Sequence, residues 1–243
     1  MLTPPAPGEV AAPTLGIATP LPLRREGRQK LTGEAKYTDD LVFPDAWYGA
    51  AIRSTDAHAK LLGLEQDPDF DWSKVVVMTA ADIPGDNVVS IIIDDMPALA
   101  EGEIVHHAQP VALLAAPDKA TLREARKRIK PQTEPLEPIF DPEASETEFA
   151  SYELTKGDPD AAFEGATLIV QGEYRVGHQE QLYIENQAMI AEPREDGGIT
   201  ITGSLQCPYY VLSALKRALD LSDEQAVITQ AETGGGFGGK EDY

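Results

Sequence analysis

One cysteine, Cys207, occurs in 243 residues. This excludes an internal disulfide, and it excludes an iron-sulfur cluster held by four thiolates of this chain. Basic residues are also scarce: 20 Lys and Arg against 41 Asp and Glu give a formal net charge of −21. A surface of that sign repels phosphate backbones and anionic lipid, which disfavours nucleic-acid and membrane-surface roles and reads as an aid to solubility. No run approaches about 18 apolar residues. The opening "MLTPPAPGEVAAPTLG" lacks the basic segment and apolar stretch of a secretion signal, so a cytoplasmic location is expected. The four histidines, His58, His106, His107 and His178, have no metal-ligand spacing, and neighbours at 106 and 107 would point to opposite faces of a strand. They are read as structural, and no metal ligand is assigned. Neither a Ser-His-Asp nor a Cys-His arrangement is supported by spacing.

What the chain does contain is ordinary for a globular protein, 42% hydrophobic and 25% charged residues, enough for one large or two small domains. Residues 1–23 carry six prolines without apolar periodicity, which predicts an extended tail. A first α+β domain is expected over 24–140. Its strands are read in "AWYGAAIRS" and "KVVVMTAADIP", and "EIVHHAQPVALLAA" reads as a strand pair or one long buried strand. "DKATLREARKRIK" reads as a helix with Asp118 as its N-cap. The Pro- and Glu-rich stretch "PQTEPLEPIFDPEASETE" places a boundary near Asp141. A second domain is expected over 141–243, with strands in "TLIVQGEYRVG", "QLYIENQAMIAEP", "GGITITGS" and "EQAVITQAE" and a helix in "YYVLSALKRALDL".

The densest signal is "AETGGGFGGKEDY", with five glycines in the six positions 234–239. Glycine is costly to order and permits close backbone approach, so the loop reads as a binding site. Gly234, Gly239 and Lys240 meet the P-loop pattern except at its last position, where Glu241 replaces the hydroxyl that binds magnesium. Gly234, Gly236 and Gly239 satisfy G-x-G-x-x-G, but the chain provides no following helix or ribose-binding acid. Cys207, between Gln206 and Pro208, reads as a small buried hydrophobe.

The runs "YIENQAMIAEP", "SLQCP" and "GGGFGGKE", with "LTGEAKYTDDL", "RSTDAHAK" and "AQPVALLAA" before them, resemble the molybdenum-binding subunit of the xanthine dehydrogenase and aldehyde oxidase family over nearly all the chain after Arg24. The resemblance implies an α/β hammerhead domain followed by the beginning of a molybdopterin-binding α+β domain, about the first third of a larger subunit. It implies that Gln206, Gly235, Gly236, Phe237, Gly238 and Gly239 contact a molybdenum-molybdopterin cofactor, and that Glu241 contacts a small-molecule substrate. Glu241 leans that substrate towards an N-heterocycle such as a purine rather than an aldehyde. Glu185 is implied to be structural. The general base would lie beyond Tyr243, so the chain alone is expected to be inactive. The implied reaction is hydroxylation with oxygen from water, with electrons leaving through iron-sulfur and FAD groups on partner subunits or other domains. Thr55, Asn186, Ala108 and Lys60 depart from the family pattern, which often has glycine at the position of Ala108. Two other readings of the chain stand beside this one, a nucleotide-binding domain using the glycine loop and a non-catalytic assembly scaffold.

Overall fold

The computed structural model describes residues 24–89 and 91–241. The proline-rich stretch 1–23 lies outside them. Two compact units are present, Met1–Lys36 and Tyr37–Tyr243. The described part of the first holds one short helix, α1 (Gly27–Thr32), which stops at Gly33 in the left-handed region at φ 77°.

The second unit begins with β1 (Tyr48–Arg53), β2 (Ala59–Gln66), β3 (Val76–Met78), β4 (Glu103–Ile104), β5 (Pro110–Ala116), α2 (Lys119–Lys127) and β6 (Ile129–Pro135). They form two antiparallel three-stranded sheets, ordered β1-β5-β3 and β4-β2-β6. Helix α2 starts where the Asp118 carboxylate accepts from the N–H groups of Ala120 and Thr121 at 2.9 and 2.8 Å. Its Leu122 and Ala125 then pack with Ile52, Ala112, Leu114, Ala116 and Ile129 into the main core. A fully buried Leu or Ile of this kind stabilises by about 2 kcal/mol.

"EIVHHAQPVALLAA" forms two strands in different sheets, because the chain turns between β4 and β5. His106 and His107 therefore sit in that turn, and the expectation that they alternate across a strand does not hold. The turn depends on Ala108 at φ 67°, with its N–H bonded to Ser54 O at 3.0 Å and its carbonyl accepting from Arg53 Nη1 at 2.9 Å. A left-handed residue with a Cβ is strained by about 1–2 kcal/mol. Ala108→Gly is expected to stabilise by about 0.5–1 kcal/mol, offset in part by the entropy of glycine. A chemical-denaturation midpoint that stays or falls would count against this.

The remaining elements are α3 (Pro159–Gly165), β7 (Met189–Pro193), β8 (Ile199–Gly203), α4 (Pro208–Leu219) and β9 (Ala226–Gln230). The third sheet is ordered β7-β8-β9, antiparallel between β7 and β8 and parallel between β8 and β9, with α4 as the crossover. The expected strand in "TLIVQGEYRVG" does not form. A strand exists only through a hydrogen-bonded neighbour, and among the described residues none lies alongside, so Leu168, Val170, Tyr174 and Val176 are exposed. The loop before β4 abuts the end of α4: the N–H groups of Gly85 and Asp86 donate to Ala218 O and Arg217 O, both at 2.9 Å. Arg217 in turn bonds both carboxylate oxygens of Asp94, at 2.8 and 3.0 Å.

Candidate cofactor site

Parallel pairing of β8 and β9 decides where the site forms. The register runs from Ile199 opposite Ala226 to Gly203 opposite Gln230, so both strands end at the same edge. Ser204, Leu205 and Gln206 leave one strand there, and Glu232 to Glu241 leaves the other. The carboxyl ends of parallel strands are the usual position for ligand sites in such sheets. Ala231 N–H to Gly203 O at 2.8 Å extends the pairing one step further, and Gln230 Nε2 donates to Leu205 O at 2.7 Å.

Gln206 is held by the glycine loop from both directions. Its backbone N–H donates to Lys240 O at 2.8 Å, and its side-chain Oε1 accepts from the N–H groups of Gly238 and Lys240 at 3.0 and 3.2 Å. Because both partners are donors, the carbonyl side of the amide faces them and Nε2 is left as a free donor. No described residue accepts from Nε2. The N–H groups of Gly235, Gly236 and Phe237 are likewise without an acceptor among the described residues. The glycines are required here for two different reasons. A Cβ on Gly236 would lie 2.2 Å from Gln206 Oε1, whereas Gly235 and Gly238 adopt φ of 98° and 92°. The space where a Gly238 Cβ would stand is open to 4 Å. Phe237, at φ 53°, presents a ring that is 77% exposed. Gly239 O accepts from Tyr183 Oη at 3.2 Å and from Gln187 Nε2.

Behind the loop stands a group that spacing did not bring out. Lys240 has only 1% of its side chain exposed, and its ammonium bonds Glu185 Oε2 at 3.0 Å and Ser204 Oγ at 2.8 Å. Glu185 Oε2 also accepts from Ser204 Oγ and from Gly234 N–H, both at 2.6 Å. Burial pushes the Glu185 carboxyl up, but Ser204, Gly234 and Lys240 together outweigh it and hold it below the usual carboxylate range. Glu185 and Lys240 are separated by 55 residues, so no local period could have paired them. The residue types of Gln206 and the glycines were legible in advance.

Glu241 is exposed, with Cys207 Sγ 3.8 Å from its Oε1. Cys207 is half-buried, not buried as expected, and occupies the N-cap position of α4 without a side-chain hydrogen bond to the helix. His58, His106, His107 and His178 line one cavity of about 700 Å³, on residues far from the glycine loop in sequence. His58 bonds Glu137 O and Glu103 Oε1 at 2.7 and 2.8 Å, which holds its imidazole above the usual histidine value. Among the described residues, no group of three His, Cys, Asp or Glu is placed to hold a metal ion.

Two family profiles match in succession: the a/b hammerhead domain of aldehyde oxidase and xanthine dehydrogenase over residues 32–137, and the molybdopterin cofactor-binding domain over residues 140–243. The chain belongs to the aldehyde oxidase and xanthine dehydrogenase family. Within this molybdenum hydroxylase family it is 30% identical to a probable xanthine dehydrogenase chain of Bacillus subtilis, over 93% of this chain and 32% of that protein. It is 32% identical to the nicotinate dehydrogenase large molybdopterin subunit of Eubacterium barkeri, over 88% of this chain and 53% of that protein. This chain thus spans 32% and 53% of the length of these two relatives. The aldehyde oxidoreductase of Desulfovibrio gigas has the same fold over 89% of this chain and 27% of its own, with a TM-score of 0.77 at 22% identity. Hammerhead and molybdopterin-binding regions of mixed helix and strand account for the α+β class. No helix among the described residues is long and apolar enough to cross a membrane.

Proposed function

We propose that this chain forms the hammerhead domain and the first cofactor-contacting part of a molybdenum hydroxylase subunit, with the domain boundary near Asp141. Its substrate is an N-heterocycle such as a purine, or an aldehyde, and water is the oxygen source. The remainder of the subunit and the iron-sulfur and FAD carriers complete a cytoplasmic enzyme, and this chain alone does not turn over. The observation that carries this reading is the pairing of Gln206 with a loop whose N–H groups at Gly235, Gly236 and Phe237 all lack partners among the described residues.

These residues fit a flat, anionic, oxygen-rich group. Three successive backbone donors lack acceptors among the described residues in a loop nearly without side chains, and the space beside Gly238 is open. When bound, molybdenum in its pterin dithiolene supplies the oxygen-transfer and electron-accepting chemistry. The protein's part is to hold and orient. The backbone N–H groups bind the cofactor's acceptors, Gln206 Nε2 donates a neutral hydrogen bond towards it, and Phe237 edges the approach. Glu241 accepts from a ring N–H of the substrate, a charge-assisted bond that fixes which carbon is presented. The general base is contributed from beyond Tyr243.

The nucleotide-binding alternative has nothing in its favour: Lys240, which would have to reach phosphate, is buried against Glu185. In the complete subunit with its partner chains, Gln206→Glu keeps the acceptor that holds the loop and removes the outward donor. Turnover of the best substrate is expected to fall about 100-fold, with cofactor retained. Wild-type turnover in Gln206→Glu, or a complete subunit that carries neither molybdenum nor pterin, would overturn the proposal.

A further inference from the structure

The first and last residues of the glycine loop bond to the same atom. Gly234 N–H and the Lys240 ammonium both reach Glu185 Oε2, so the segment 234–240 is closed into a ring through one carboxylate. Ser204 ties that carboxylate and that ammonium together, and the ammonium also lies 4.8 Å from the centre of the Tyr183 ring. The same Lys240 clamps Gln206 through its backbone N–H and carbonyl. One residue therefore couples the buried ion pair to both donor sets of the site, the loop amides and the Gln206 side chain.

We propose that Glu185 and Lys240 are positioning residues, a buried staple that sets the distance between the loop's ends and so aims the N–H groups of Gly235, Gly236 and Phe237 and the amide of Gln206. The staple costs desolvation of both charges, and an apolar pair of similar volume would often stabilise as well or better. Its retention at this point is explained by directional bonding. A carboxylate oxygen collects three donors from two chain segments, Ser204 from one and both ends of 234–240 from the other, which no apolar side chain does. Gly236 shows how tight the result is, since the loop sits too close to Gln206 for a Cβ.

The link to cofactor binding rests on the function proposed above; the link to loop geometry does not, and the experiment separates them. Hydrogen exchange read by mass spectrometry on the complete enzyme with its partner chains reports the hydrogen-bonded loop amides of Gly234, Gly238, Gly239 and Lys240 directly. Lys240→Met is expected to raise their exchange about tenfold while β7–β9 keep their protection, and to speed pterin release from the loaded enzyme by a similar factor. Glu185→Gln alone leaves the ammonium buried without a counter-charge and is expected to lower the melting temperature. The double variant Lys240→Met/Glu185→Gln removes that mismatch, so melting temperature returns while loop protection and pterin retention do not. Ser204→Ala, a milder change that keeps both charges, is expected to produce a smaller effect confined to the same amides.

Full recovery of loop protection in the double variant would reduce the pair to charge compensation and overturn the inference. Loss of protection spreading through β7–β9, or wild-type loop exchange in Ser204→Ala, would do the same. If the exchange result holds but pterin release is unchanged in Lys240→Met, the staple sets the loop while the loop is not the cradle, and the fault lies with the function proposed above.

Discussion

Gly238→Val in the complete subunit is expected to lower molybdenum and pterin content about tenfold, the equivalent of ~1.4 kcal/mol of lost binding, without preventing folding. The reason lies in two observations that point in different directions. The backbone at Gly238 is at φ 92°, where a β-branched residue is strained by about 1–3 kcal/mol. The space beside it is open to 4 Å, so an added Cβ meets no protein atom among the described residues and stands on the face assigned to the cofactor. Glu241→Ala removes the proposed substrate contact and the long Cys207 Sγ contact to Oε1, and leaves the glycines in place. Metal content should hold, while kcat/KM for a purine falls about tenfold or more if one charge-assisted hydrogen bond is lost. Molybdenum per protein and kcat/KM for the two variants check the pair. A metal-free Glu241→Ala enzyme, or a fully loaded Gly238→Val enzyme, would contradict the roles given to the loop.

Gly85→Ala is expected to destabilise by about 3 kcal/mol, although it lies far from the glycine loop in sequence. A Cβ there would stand 2.0 Å from Arg217 O, a backbone atom at the end of α4, and relief requires the loop to peel away. Both backbone bonds to α4 and the Arg217 pairings with Asp94 and Asp86 would go with it. Because α4 begins at Cys207 and Pro208, directly after Gln206, the same change is expected to disturb the site through the helix. The unfolding midpoint of the complete subunit measures the first effect, and a midpoint equal to wild type would show that the contact with α4 contributes nothing.

Local chemistry was legible from the residues. Asp118 ahead of an amphipathic run announced α2 and its cap, "YYVLSALKRALDL" announced α4, and the glycine cluster at 234–239 announced a backbone that something must approach closely. The acid at Glu241 was enough to weaken the P-loop reading. Each of these depends on neighbours within one turn or one strand, which is the range over which residue order controls geometry.

What the sequence by itself determined was therefore the identity and order of most elements, the absence of a thiolate cluster, and the residue types available to the site. Tertiary structure decided how they meet. Parallel pairing of β8 with β9 set Gln206 beside the loop, and Lys240 turned inward to Glu185 instead of outward to a phosphate. Four scattered histidines came to line one cavity, and Thr167–Gly177 kept a strand-like pattern without forming a strand. The physical reason is common to all four: strand pairing and buried ion pairs join residues separated by tens of positions. A pattern can propose such partners, but only the packed chain supplies the register, the burial and the neighbour that make the bond.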